Sequence, residues 1–471
     1  MLFNSYQFII FFALFFALYV CLSHKNQNLL ILLASCIFYG AWDWRFLGLL
    51  GFTIGVDYLV ARRLDSETAP TRRRALLSAS LFANLGMLAF FKYFDFFVVN
   101  LNELLATTGV QFPLPVLHVI LPVGISFYTL HTLGYVLDVY HRRQAHVSSL
   151  MEFACFVAFF PLLVAGPIVR IAYMRGQFSS PRTIKIENIR SGLSLCLIGL
   201  FQKVVIADNL AVVADRIFSD ISHYGSLELL IGLYAFAFQI YGDFAGYSNI
   251  AIGLATILGF SIPANFDRPY AATSIRDFWR RWHISLSTWI RDYLYIPLGG
   301  SRTGHRYRNL LVTMGICGLW HGASWNMVIW GLYHGGLLGA QHGLSSFTPA
   351  LQAQWPTGTR WIFAAISPFI TFHLVCLGWL LFRSPNLSDA LHYAKGMLSV
   401  HAQAPIQMAS LLAIGFMIAA IALDTLHSFA ERPDFFVSWP AILRGTAIGV
   451  MVGALFVFGG FTDVPFIYFQ F

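Results

Sequence analysis

Two histidines stand where histidine is expensive. His321 lies in GICGLWHGASWNMVIWGLYHGG (315–336), within an apolar run long enough to cross a bilayer. An ionisable residue in such a run is costly and is by default a functional hypothesis. Gly318 and Gly322 leave room for close backbone approach, and Trp320, Trp325 and Asn326 surround the imidazole. His283 lies in FWRRWHISLSTWIRDYLYIPLGGSR (278–302), beside the small hydroxyls Ser285 and Ser287 and among Trp279, Trp282, Trp289, Arg280, Arg281 and Arg291. An apolar setting favours neutral imidazole, the form a general base needs. Such a base takes a hydroxyl's proton as that oxygen attacks an activated acyl group. A cationic mouth draws a polyanionic donor such as acyl-CoA, and the indoles would wall a pocket for its acyl or pantetheine arm. Asn326 or His283 would donate to the developing oxyanion, an interaction worth on the order of 3 kcal/mol.

Other chemistries find less support. There is no GxSxG, P-loop or HExxH sequence. His334 follows His321 by thirteen residues, roughly 220° around a helix, so the two lack metal-ligand spacing. No metal site is expected. The six cysteines all lie in apolar runs without a CxxC, as small buried hydrophobes do. Plainer readings stay open at this point. The 278–302 stretch has the composition of a lipid-surface anchor, and Gly318-x-x-x-Gly322 that of a helix-packing motif. A proton-coupled transporter would need several intramembrane carboxylates. Only Asp243, in QIYGDFAGYSN, is well placed for that, with Asp208 and Asp138 near span ends. A non-catalytic export scaffold is the alternative of another class.

The elements that must position these residues are membrane helices. The chain is 57% hydrophobic and 11% charged, against about 25% charged in soluble domains. Apolar stretches of roughly spanning length cover 6–23, 28–43, 45–61, 75–92, 118–140, 191–218, 226–260, 308–340, 362–382, 408–428 and 441–461. The apolar segment 151–168 is short and interrupted by Pro161 and Pro167, which predicts a broken or re-entrant piece. The first stretch lacks a basic n-region and is followed by HKNQ rather than a cleavage site, which predicts a retained span. Basic loops at 61–75, 141–144, 170–190 and 276–308 are expected on the cytoplasmic side. Counting back three spans places the N-terminus in the periplasm. The net charge of +8 does not suggest nucleic acid, because no basic stripe lies on a soluble domain. Between spans, Ser274 as N-cap with Asp277 three residues on predicts a helix over about 275–295 that stops near Pro297-Leu298-Gly299-Gly300. On it Trp279, Trp282, Leu286 and Trp289 share one face, and Arg276, Arg280 and Arg291 another.

These blocks resemble the membrane-bound O-acyltransferase family, in its bacterial alginate O-acetylase branch. The similarity runs along the whole chain. LPVGISFYTLHTLGYVLDVY (121–140), FFPLLVAGPIVR (159–170), FQKVVIADNLA (201–211), QIYGDFAGYSNIAIG (239–253) and NFDRPY (265–270) look like successive family blocks, and the two histidine stretches are the most specific. The resemblance implies an all-α polytopic membrane protein of about 11–13 transmembrane or re-entrant helices around a central tunnel. It implies a single domain over 1–471, with 278–336 as its catalytic core region. It makes His321 the catalytic residue and His283 the second recurring polar one. Arg280, Arg281, Arg291, Trp279, Trp282, Trp320, Asn326 and Asp243 become candidates for donor binding or tunnel lining. His131, where relatives commonly carry another residue, is expected to be a satisfied core histidine. The closing PFIYFQF resembles an aromatic C-terminal motif (466–471) whose tyrosine, Tyr468 here, is implicated as a covalent acyl acceptor; an aromatic membrane belt is the simpler reading.

The implied activity is an O-acetyltransferase of a bacterial inner membrane. It would use acetyl-CoA as donor substrate, with no permanently bound cofactor. It would act with an extracytoplasmic or membrane-anchored acetyltransferase partner, because no stretch here forms a domain able to grasp a polymer. Alginate is the first acceptor the branch suggests; cellulose, another exopolysaccharide and peptidoglycan are the alternatives.

Overall fold

The computed structural model describes residues 1–109, 113–302, 304–345, 357–399, 406–430, 434–460 and 466–467, and among these the chain is all helical, with no strand. Seven helical stretches among them are long and apolar enough to cross a bilayer: His24–Ser66, Pro70–Thr107, Ile186–Ser219, Ser226–Ile257, Ala365–Arg383, Met408–Phe429 and Ala441–Phe458. This is a multi-pass membrane protein. The chain divides into two compact units, Met1–Ile189 with Leu254–Pro263, and Arg190–Gly253 with Ala264–Phe471.

The first unit gives several of its buried and half-buried polar groups neutral partners. The Asp57 carboxylate accepts from Ser80 Oγ at 2.6 Å and from Asn84 Nδ2 at 3.0 Å. Arg182 donates to the Tyr19 hydroxyl at 2.7 Å and lies over the Phe260 ring. His131 is buried, and its Nε2 accepts the Val169 N–H at 3.1 Å. The histidine is buried in the core as expected, with one ring nitrogen, Nε2, partnered. The 151–168 segment is broken as predicted. Helix Leu150–Ala158 stops at Phe159, whose ψ of 102° is not helical, and a four-residue helix, Phe160–Leu163, resumes with Pro161 in its first turn. Its phenylalanines are buried, so the interrupted backbone is enclosed by protein. The 118–140 stretch forms a helix only from Ile125 to Tyr140. Gly124 enters it at φ +76°, where a Cβ would meet the Leu163 carbonyl oxygen at 2.5 Å.

The second unit is built on the largely buried helix Ser226–Ile257. It corrects two expectations. The 308–340 span is a hairpin: Arg306–His321 and Trp325–Ser345 are separate helices joined by an elbow at 322–324. Gly322 is extended there, and Ser324 Oγ caps the second helix by accepting the Met327 N–H at 3.2 Å. The two arms touch through glycines. A Cβ at Gly318 would lie 2.1 Å from the Met327 carbonyl oxygen, and one at Gly331 2.1 Å from that of Met314. Gly318 thus serves helix packing. The 275–295 helix is likewise interrupted. Ser274 caps it as expected, accepting the Asp277 N–H at 3.2 Å. It ends at Arg281, restarts as Ile284–Ile290 and finishes in a π-helical turn, Arg291–Tyr295. Gly299 and Gly300, both at positive φ, follow the stop.

Candidate active site

The interruption at 282–283 makes the site. His283 takes the left-handed conformation, φ +42°, which costs a non-glycine residue free energy and persists only where its surroundings impose it. Asn265 imposes it. Its carbonyl accepts the Ile284 N–H at 2.9 Å, and its Oδ1 accepts from the Ser285 N–H at 3.2 Å and Ser285 Oγ at 2.8 Å. The same Oδ1 lies 3.2 Å from His283 Nδ1, and Asn265 Nδ2 donates to Ser248 Oγ. One asparagine therefore caps the second helix and fixes the imidazole. His283 is fully buried, and burial pushes its pKa down to about 3, so the ring is neutral.

His321 is the last residue of its helix and is buried. Its neighbours are aromatic: Trp320 with ring centroids at 4.9 Å, Trp330 at 5.1 Å and Phe382 at 5.8 Å. Trp320 in turn faces His283 at 6.4 Å, and Trp330 faces His334 at 5.1 Å. The structure therefore joins the histidines into a row of alternating indoles and imidazoles. His334 belongs to that row because the elbow at 322–324 puts it on a second helix, so the roughly 220° expected from spacing along one helix does not apply.

A cavity of about 590 Å³ opens beside the row. Arg276, Arg280, Arg291 and Arg306 line it, with Trp279, Ser287, Thr288 and Tyr295. A smaller one, about 160 Å³, shares Trp279, Ser287, Arg291 and Tyr295 and reaches Thr313, Met314 and Cys317. Cys317 is one helical turn before His321. Neither cavity is lined by His321. Trp279 borders both and packs on Trp330 at 5.9 Å, so two indoles stand between the arginines and His321.

The other candidates sort by geometry. Arg280, Arg291 and Trp279 line the large cavity. Arg281 does not: it is held by Asp277 at 3.0 Å and Asp267 at 3.7 Å. Trp282 is buried against Phe266, Phe278 and Trp379, away from both cavities. Asn326 Nδ2 donates to the Leu381 and Ser384 carbonyls and so ties the hairpin to the helix ending at Arg383. Asp243 pairs with Lys203 at 2.6 Å. Tyr468 lies outside the described residues. Sequence reasoning gave no role to Asn265, Lys203, Arg306 or Trp330. A lysine in the apolar run FQKVVIA was a usable signal for one of them.

Residues 139–382, which include both histidines and every arginine of the cavity, match the model of the membrane-bound O-acyltransferase family. The chain belongs to this family. It is an acyltransferase. The acyltransferase is 40% identical to the probable alginate O-acetylase AlgI of Azotobacter vinelandii over 85% of this chain and 78% of that protein. It is 36% identical to the probable alginate O-acetylase AlgI of Pseudomonas putida over the full length of both. It is also 37% identical to the peptidoglycan O-acetyltransferase of Helicobacter pylori over 79% of this chain and 74% of that protein.

Proposed function

We propose that this acyltransferase takes an acetyl group from acetyl-CoA on the cytoplasmic side of a bacterial inner membrane and passes it outward for O-acetylation of a polysaccharide. The observation that carries the reading is the four-arginine cavity, separated by two indoles from a buried histidine at a helix end. Arg276 and Arg280 match phosphate groups of a donor, which guanidinium groups bind in bidentate pairs; Arg291, paired with Asp292 at 2.7 Å, and Arg306, beside His342, add positive charge to the same wall. The smaller cavity leads the pantetheine arm toward Cys317 and the turn that ends in His321. There the His321 imidazole takes the proton of an acceptor hydroxyl, that oxygen bonds to the acyl carbon, the carbon–sulfur bond breaks, and the leaving thiolate recovers the proton. His283 faces the same row and stabilises the developing oxyanion.

The acceptor hydroxyl is that of Tyr468, which hands the acetyl group to an extracytoplasmic acetyltransferase partner. The names of the relatives support a cell-envelope polysaccharide as final acceptor, alginate first and peptidoglycan second. Positive-inside bias supports a periplasmic N-terminus. The test is acetyl transfer from radiolabelled acetyl-CoA in membranes carrying the full chain. Loss of label in the polymer with His321→Ala, at unchanged protein level, is the expected result. Unchanged labelling would favour a scaffold that merely docks another transferase. Tyr468→Phe keeps the aromatic side chain, and full activity in it would remove the tyrosine from the route.

A further inference from the structure

Phe466 and Ile467 are both buried. The Ile467 N–H donates to Asp243 Oδ2 at 2.6 Å. The other oxygen of that carboxylate takes Lys203 Nζ at 2.6 Å, and Lys203 also holds Asp208 at 2.8 Å. All three ionisable groups sit in helical stretches apolar enough to span a membrane, where charge is costly and marks function. Two carboxylates face one ammonium, and the Ile467 backbone N–H adds a charge-assisted hydrogen bond to Asp243. Lys203 lies in a π-helical turn, Phe201–Ala207, and such turns concentrate at functional sites. A tie between two helices needs only the lysine and one carboxylate; this one extends to residue 467. The Phe466 ring packs on Tyr247 at 4.6 Å and Phe244 at 5.6 Å, and Phe244 meets His283 edge-on at 4.6 Å.

We infer that Asp243, oriented by Lys203, is a clamp that holds the Phe466–Ile467 segment against the Phe244–His283 layer, beside the proposed transfer site, and that acyl transfer depends on this hold. The inference rests on the reading of His321 as the transfer base. Asp243 and Lys203 touch no reacting atom in it; they are positioning residues.

Ile467→Pro removes the N–H donor and leaves Asp243 and Lys203 intact. Acetyl transfer to polymer should fall about tenfold or more, as expected for one charge-assisted hydrogen bond. Acetyl-CoA binding and thermal unfolding in detergent should stay as in the parent, and the conservative Ile467→Val, which keeps the N–H, should restore transfer. Full transfer in Ile467→Pro, or equal loss of donor binding and transfer, overturns the clamp. A second measurement does not depend on activity. In Ile467→Cys, maleimide labelling at residue 467, read by peptide mass spectrometry, should be about tenfold faster when Asp243→Ala is added. Equal rates overturn the clamp. Normal transfer in His321→Ala would sink the proposed base, while the labelling contrast would stand.

Discussion

Selected polar groups in the two units sit in different surroundings. In the first, Asp57 is closed off by Ser80 and Asn84, His131 by the Val169 N–H, and Arg182 by Tyr19, Gln177 and Gln27. Asp57 and Arg182 find several neutral partners each, and His131 finds one for Nε2. In the second, Asp243 reaches a lysine and a segment 224 residues away, His321 is packed among indoles at a helix end, and four arginines border a cavity. A polar group satisfied by neutral neighbours holds architecture together. One set against aromatic rings or an open volume is available for chemistry.

Paired substitutions, one in each unit, put this contrast at risk. The largest effect is expected at the histidines. His321→Ala should lower acetyl transfer about 10²–10⁴-fold, the usual contribution of a positioned base. His131→Leu should keep the turnover number and lower stability by about 1–3 kcal/mol, because the buried Val169 N–H loses its acceptor. Equal losses of turnover in the two would break the contrast. The arginines come next. Arg280→Ala with Arg291→Ala should raise KM for acetyl-CoA about tenfold, increasingly so at low salt. Arg182→Ala should leave KM alone and lower the melting temperature, which calorimetry in detergent checks. Arg281→Ala sharpens the point within the second unit: its carboxylate partners predict a stability cost without a change in KM. The smallest effect is expected at Cys317. Filling the small cavity with Cys317→Leu should slow turnover about threefold, whereas Cys155→Ala in the first unit should leave turnover unchanged. Steady-state kinetics separates these outcomes.

Much of this was legible in the sequence, because hydropathy and caps are local signals. The Ser274 cap, the stop at Gly299-Gly300 and the broken 151–168 segment all follow from neighbours a few residues apart. The interruption at His283 was not legible, since Asn265 imposes it from eighteen residues upstream. That break also decides the indoles: Trp279 reaches the cavities while Trp282 turns into the aromatic core. Arg280 and Arg281 look alike in sequence and differ in the fold. Asp277, four residues before Arg281, was a readable hint, but Asp267 becomes its neighbour only through the folded connection. The elbow at 322–324 was hidden because a three-residue turn hardly lowers the hydropathy of a long apolar window.

The indole pair between the arginine cavity and His321 bears on thrift. On the proposed reading, a base left open to the cytoplasm would spill acetyl groups onto water whenever no acceptor waited. Trp279 and Trp330 keep donor and base apart at rest, so idle enzyme wastes little of the cell's acetyl stock, and the leak should grow when Trp279 is trimmed to alanine.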